Sequence, residues 1–271
     1  MQNLGAFQTN QVYTGDGREL IKSLPDECID LILSDPPFKI SQTYTQNVDA
    51  DNMLAISAIW ILAKEWYRVC KPGCYAAIYY DTRILPLIIY AMANGGWKYM
   101  RGLTFYRRWG NANKLYGWMS TSDFILLFRK PADEPMQFYS DDWRHDVYTK
   151  DKPEIEGMNH PAQKPLADVR HLVKHLCPPD GVLLDTYIGS GTSALAAMFE
   201  SRNFLGFEID PITANTARKR VADFELPMFA NNQSAQQPLT LDWRESADLE
   251  KLSTLEVFTA PEAGTTPAAS Q

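Results

Sequence analysis

Apolar residues fall along this chain in short runs rich in β-branched and aromatic side chains, at 28–33, 75–80, 103–106, 124–128, 182–185 and 203–209. Runs this short, bounded by Gly, Pro or Asp, predict strands, and those without strict alternation predict strands covered on both faces. Between them apolar positions recur at helical spacing, predicting helices over 53–69, 83–94, 166–176, 193–200 and 211–224, with a shorter one over 18–24 that Pro25 stops. Stop signals agree with this division: Lys71-Pro72-Gly73 after the first long helix, Gly95-Gly96 after the second, and Cys177-Pro178-Pro179-Asp180-Gly181 after the third. The alternation of strand and helix predicts an α/β domain with a mostly parallel sheet and helices on both of its faces. The runs 103–106 and 124–128 lack a helix between them and predict a hairpin with a long tip. Residues 39–52 are polar and patternless, as in a loop over a site, and 131–159 read as an irregular insertion suited to substrate selection. The main domain is expected over 1–225. Residues 226–271 form a polar extension rich in Gln, Asn, Pro, Ala, Ser and Thr, whose end, 261–271, is predicted to be disordered.

Composition narrows the class. A chain of 271 residues with 45% hydrophobic content can bury one large core. A formal charge of −7 and a pI near 5.2 exclude a simple polycation, so any nucleic-acid surface must be local. Residues 98–130 supply one: seven bases against the single acid Asp123 give +6, which leaves −13 for the rest. Cys28, Cys70, Cys74 and Cys177 have neither zinc-site nor disulfide-scaffold spacing, so no metal is expected. The first residues lack the basic and apolar regions of a leader, and no stretch is long enough to span a bilayer; a cytoplasmic protein without membrane contact is the expectation.

Two stretches carry candidate chemistry. Ser34-Asp35-Pro36-Pro37-Phe38 follows a predicted strand, and chemistry in open α/β sheets gathers at such carboxyl ends. The prolines fix the turn and remove N–H donors, Asp35 adds a carboxylate acceptor, and Phe38 offers a flat apolar face. Together they suit a planar ring bearing an amino group. Gly189-Ser190-Gly191, between a strand and a helix amino terminus, lets a ligand approach backbone N–H groups. Glu208 follows 19 positions after Gly189, at the end of the next strand, where an acid binds ribose hydroxyls. A nucleoside-containing cofactor is implied, and the glycines alone leave nicotinamide and S-adenosylmethionine equally open.

The order of parts distinguishes them: Gly15-Asp16, then Asp35-Pro36-Pro37-Phe38, a basic segment, His160-Pro161-Ala162-Gln163-Lys164-Pro165, Asp185 through Thr192, and Gly206-Phe207-Glu208. Over residues 12–224 this resembles the β class of amino-DNA methyltransferases, which methylate N6 of adenine or N4 of cytosine and place the catalytic motif before the cofactor loop. The resemblance implies a Rossmann-like S-adenosylmethionine-dependent methyltransferase fold with permuted motif order, and double-stranded DNA as substrate. It implies catalysis by Asp35, Pro36, Pro37 and Phe38 on a flipped-out base. Asp185, Gly189, Gly191 and Thr192 would hold the methionine side of the cofactor, Glu208 its ribose and Asp16 its adenine, with Tyr187 stacking near the cofactor and Ser190, Gln163 and Lys164 lining the same region. Phe105, Arg107, Arg108 and Lys114 would meet DNA. Asp as the first residue of the Pro-Pro motif is commoner in the adenine enzymes and Ser in the cytosine enzymes, so N6 of adenine is expected, with N4 of cytosine as the alternative and a catalytically silent DNA-binding protein as the remoter one. A homodimer and a cognate restriction endonuclease are compatible partners. Tyr187 and Ala162 depart from the commoner Phe and Thr of the family pattern.

Overall fold

The apolar runs assemble into one sheet because each presents side chains to both of its faces. In the computed structural model, which describes residues 1–36, 52–112, 119–142, 144–150 and 164–230, Leu31 and Leu33 point to one side and Ile32 to the other, all buried. The described elements are β1 (Asn3–Leu4), β2 (Phe7–Gln8), β3 (Gln11–Thr14), α1 (Gly17–Leu20), β4 (Ile29–Ser34), α2 (Asn52–Val69), β5 (Cys70–Tyr80), α3 (Leu85–Asn94), β6 (Lys98–Ala112), β7 (Met119–Arg129), β8 (Val147–Lys150), α4 (Leu166–Leu176), β9 (Val182–Asp185), α5 (Thr192–Phe199), β10 (Asn203–Glu208) and α6 (Pro211–Ala230). Eight strands form the main sheet in the order β3-β10-β9-β4-β5-β7-β6-β8. The pairs joining β3, β10, β9, β4 and β5 are parallel, β7 runs antiparallel to both β5 and β6, and β8 pairs parallel with β6.

Each face has its own core. Ile59, Leu62, Ala63 and Trp66 of α2 and Ile88, Ala91 and Met92 of α3 cover Ile32, Ala76, Ile78, Leu184 and Phe207. On the other face Val169, Leu172 and Val173 of α4, Ala194, Ala196 and Ala197 of α5 and Ala214 and Ala217 of α6 cover Leu31, Leu33, Ala77, Leu183 and Phe204. Burying a large aliphatic side chain in such layers contributes about 1.5–3 kcal/mol. The small residues of α5 and α6 let those helices lie close to the sheet. Because β4 leads through α2 toward β5 on one side while β9 leads through α5 toward β10 on the other, the connections diverge between β4 and β9. That divergence opens a crevice at the carboxyl ends of these two neighbouring strands.

Several local expectations are corrected. Residues 11–14 form edge strand β3, too short and too polar to signal itself. Lys71-Pro72-Gly73 does not separate helix from strand; β5 begins at Cys70 and bulges there, with pairing to β4 jumping from Ile29↔Cys70 to Leu31↔Tyr75. Asp30 fixes this bulge, accepting from Lys71 Nζ at 2.8 Å and from the Val182 backbone N–H at 2.9 Å. The helix over 18–24 is divided into α1 and a 3-10 turn at Ile21–Ser23. The irregular insertion contributes a strand, β8, whose neighbour β6 supplies the missing pattern. Helix α6 runs on to Ala230, past the expected 224. The extension beyond Ala230 lies outside the described residues, as do residues 39–51 of the expected loop. Among the described residues no helix is long and apolar enough to cross a membrane.

Candidate active site

Five strands bring acids to the carboxyl edge of the sheet. Asp16 follows β3, Glu208 ends β10, Asp185 ends β9, Asp35 follows β4, and Asp123 lies on β7 just beyond the pairing of Tyr80 with Phe124. Register forces this alignment: Thr14 pairs with Glu208, Gly206 with Asp185, and Ile32 with Leu184. Ser34 and Thr186, buried side by side, have hydroxyl oxygens 3.5 Å apart, which ties the Asp35 turn to the Asp185 loop.

The Asp185 loop is built from local bonds. Asp185, 6% exposed, accepts from the Tyr187 N–H at 3.0 Å and from Ser193 Oγ at 2.6 Å. Burial pushes its carboxyl up to about 7, and the nearby Asp35 and Glu208 add to the rise. Glu208 accepts from the Gly189 N–H at 3.0 Å and the Asp210 N–H at 2.9 Å, and burial raises its carboxyl too. Gly189 and Gly191 adopt φ of +53° and +89°, where L side chains are strained. A Cβ on Gly191 would press on Ala217 at 3.1 Å, whereas one on Gly189 would meet only Tyr187 O at 3.9 Å and otherwise point into open space. Thr192 Oγ1, at the start of α5, is buried with no hydrogen-bond partner among the described residues. An open cradle at Gly189, an orphaned hydroxyl, a helix amino terminus and two carboxylates fit a ligand that combines polar amino-acid groups with a ribose.

Two side chains expected here are turned to structural partners. Asp16 caps α1 through the Arg18 N–H at 2.9 Å and pairs with the Arg18 guanidinium at 2.7 Å, which holds its carboxyl below the usual carboxylate range. Ser190 Oγ accepts from Arg220 at 3.0 Å, and its carbonyl oxygen accepts from the same nitrogen at 2.6 Å. Gly17 packs the start of α1 against this loop so closely that a Cβ would stand 2.5 Å from Thr186 O. Asp16 and Ser190 thus fasten their elements; neither pairing was legible, because Arg18 and Arg220 carry no motif.

The Asp35 side of the crevice is different. Asp35 keeps 30% of its side chain exposed and pairs with Lys164 Nζ at 3.1 Å. The same ammonium lies 3.8 Å from Asp123 Oδ1 and 4.7 Å from the centre of the Tyr79 ring. Burial raises the Asp35 carboxyl against the lowering pull of Lys164. Lys164 therefore lies beside the acid of the Pro-Pro turn, in contact with groups from β5 and β7. Asp123 and Tyr79 were missed as site residues. The signal for Asp123 was its place as the single acid in the basic segment, while Tyr79 had none beyond its position near a strand end. Pro36 is buried; Pro37, Phe38, His160 and Gln163 lie outside the described residues.

The expectation that Phe105 meets DNA is corrected. It is 3% exposed, its ring set edge-on to Tyr148 at 5.3 Å and to His171 at 6.1 Å, so the core holds it. The basic segment is also partly spent within the protein: Lys130 is buried on the carbonyls of Tyr67 and Cys70, Arg101 pairs with Asp146, and Arg129 donates to the carbonyls of Glu134 and Pro135. Arg107 and Arg108 lie on β6, with side chains outside the described set, and Lys114 lies outside it altogether. Among the described residues no group of three His, Cys, Asp or Glu is placed to hold a metal ion.

Comparison with known proteins adds to this geometry. The model of a family described as DNA methylase, the N6/N4 methylases, matches residues 29–219. The type II methyltransferase M.ScaI of Streptomyces caespitosus is 24% identical over 241 residues, covering 75% of this chain and 79% of that protein. Among solved structures, the cytosine-N4-specific PvuII DNA methyltransferase superposes with a TM-score of 0.65 at 18% identity, covering 84% of this chain and 97% of that one. The M1.HpyAVI–SAM complex superposes with a TM-score of 0.62 at 22% identity, covering 78% and 98%.

Proposed function

The chain belongs to the N6/N4 DNA methylase family, and from that premise we propose that it transfers a methyl group from S-adenosylmethionine to the exocyclic N6 of adenine in double-stranded DNA. The observation that carries this reading is the position of Asp35, at the divergence of β4 and β9, beside the Asp185 loop and partly open. Asp185, Gly189, Gly191 and Thr192 would hold the methionine end of the cofactor, with Tyr187 beside it and Ser190 keeping the loop in shape. Glu208 would take the ribose hydroxyls, and Asp16, held by Arg18, would border the adenine.

An exocyclic amine inside a duplex is out of reach, so the target nucleotide leaves the stack at a cost of a few kcal/mol that the pocket offsets. Phe38 stacks on the base. Asp35 and the Pro36 carbonyl accept from the two amino hydrogens, which draws the nitrogen lone pair out of ring conjugation and aims it. Bound at the Asp185 loop, S-adenosylmethionine would supply an electrophilic methyl group, with its sulfonium sulfur as the leaving group that keeps the bonding electron pair. The amine's excess proton departs along the hydrogen bond to Asp35. Arg107, Arg108 and Lys114 bind phosphates, and neutralising both arginines should lower the log–log salt slope of DNA binding by about one unit per lost contact; an unchanged slope removes them from the interface.

The acid at position 35 favours adenine, following the family pattern. N4 of cytosine is the second reading, favoured by the fold shared with the PvuII enzyme. Unmodified duplex DNA incubated with labelled S-adenosylmethionine and digested to nucleosides should place the label in N6-methyldeoxyadenosine. Label only in N4-methyldeoxycytidine would transfer the assignment to cytosine, and no label in any nucleoside would leave a silent binding protein.

A further inference from the structure

Lys164 reaches the crevice from the segment before α4 and stops 3.1 Å from Asp35, 3.8 Å from Asp123 and 4.7 Å from the centre of the Tyr79 ring. An ammonium beside a carboxylate presents a hydrogen-bond donor next to an acceptor. The edge of a base that bears a methylatable amine offers the complementary pair. Adenine has an amino group that donates and, next to it, N1 that accepts; cytosine has the same arrangement with N3. Guanine differs on its Watson–Crick edge, where N1–H, a second donor, stands beside its 2-amino group.

Resting on the reading of this chain as an amino-methylating enzyme, we propose that Lys164 is a specificity-determining residue that donates to the ring nitrogen adjacent to the amine while Asp35 accepts from the amine itself. Both side chains keep part of their surface open, 19% for Lys164 and 30% for Asp35, so the pair is reachable from the crevice. The separation from Asp123 exceeds hydrogen-bond length, so that carboxylate acts on the ammonium by charge. The Tyr79 ring supports the ammonium as a flat electron-rich neighbour. The pair matches the Watson–Crick edge common to adenine and cytosine, which guanine lacks. Choice between the first two must then come from contacts outside this pair.

The test replaces the acceptor on the base. Duplexes carry 1-deazaadenine at the target position, or 3-deazacytosine if cytosine proves to be the base methylated; both retain the amine and exchange the ring nitrogen for C–H, and natural and deaza bases alike are set opposite an abasic site so that lost pairing does not ease departure from the stack. Dissociation constants are measured with S-adenosylhomocysteine present, so altered amine reactivity does not enter, and kcat/KM is measured alongside. Wild-type protein should bind the deaza duplex about 10- to 100-fold more weakly than the natural one, the range for a hydrogen bond from a charged group. Lys164→Met should bind both duplexes alike, and Lys164→Arg should recover part of the preference. Wild-type protein that binds the two duplexes equally overturns the proposal without needing any variant, as does a Lys164→Met protein that keeps the full preference. Wild-type protein that discriminates by binding yet methylates no base would instead overturn the enzymatic reading and leave the base contact standing.

Discussion

The two halves of the crevice neutralise their acids by different means. On the β9–β10 side, Asp185 and Glu208 are satisfied by neutral donors: backbone N–H groups of Tyr187, Gly189 and Asp210 and the Ser193 hydroxyl. On the β4–β5–β7 side, Asp35 is met by the ammonium of Lys164, which also faces Asp123 and Tyr79. The first half is a loop whose shape is set by its own backbone before anything binds. The second is gathered from residues 35, 79, 123 and 164 and depends on charge balance. A preformed loop suits a cofactor common to many reactions, and an assembled charge cluster suits the substrate that each enzyme must choose. Losses on the first half should therefore appear in cofactor binding, and losses on the second in rate.

The largest separation is expected for Asp35→Ala. It should lower the methylation rate at saturating substrates by about 10²- to 10³-fold, as for removal of one group that stabilises a transition state, while calorimetry shows cofactor affinity nearly unchanged. A comparable loss in both would erase the division. Glu208→Ala should do the reverse, raising the cofactor dissociation constant about 10- to 100-fold for a lost charge-assisted bond, with the rate at saturation largely kept; an unchanged titration would remove Glu208 from the cofactor half. The smallest effect concerns pH. With its carboxyl pushed up from 3.8 to about 7 by burial, Asp185 is ionised in the unfolded chain but protonated in the folded protein between those values. Its stabilising contribution is full below 3.8, falls by up to about 1.4 kcal/mol per pH unit as pH rises, and levels off above 7. Asp185→Asn should flatten that part of the stability profile in thermal denaturation from pH 4 to 8. Wild-type and variant profiles of equal slope would show that burial does not control this group.

What the sequence determined by itself was whatever local chemistry encodes. The strand at 182–185 and the helix at 166–176 match their expected bounds because apolar periodicity and Pro or Gly stops act within a few residues. The glycine loop and Glu208 were legible because a left-handed turn tolerates few residue types and leaves a motif. Only the tertiary structure decided that Lys164 belongs with Asp35, that Asp123 and Tyr79 join them, that Phe105 is core, and that Lys130 is buried among carbonyls far along the chain. Sheet register and strand order set those placements. They bring residues separated by more than a hundred positions to one edge, and an isolated Lys, Asp or Tyr has no local pattern to announce which neighbour it will meet.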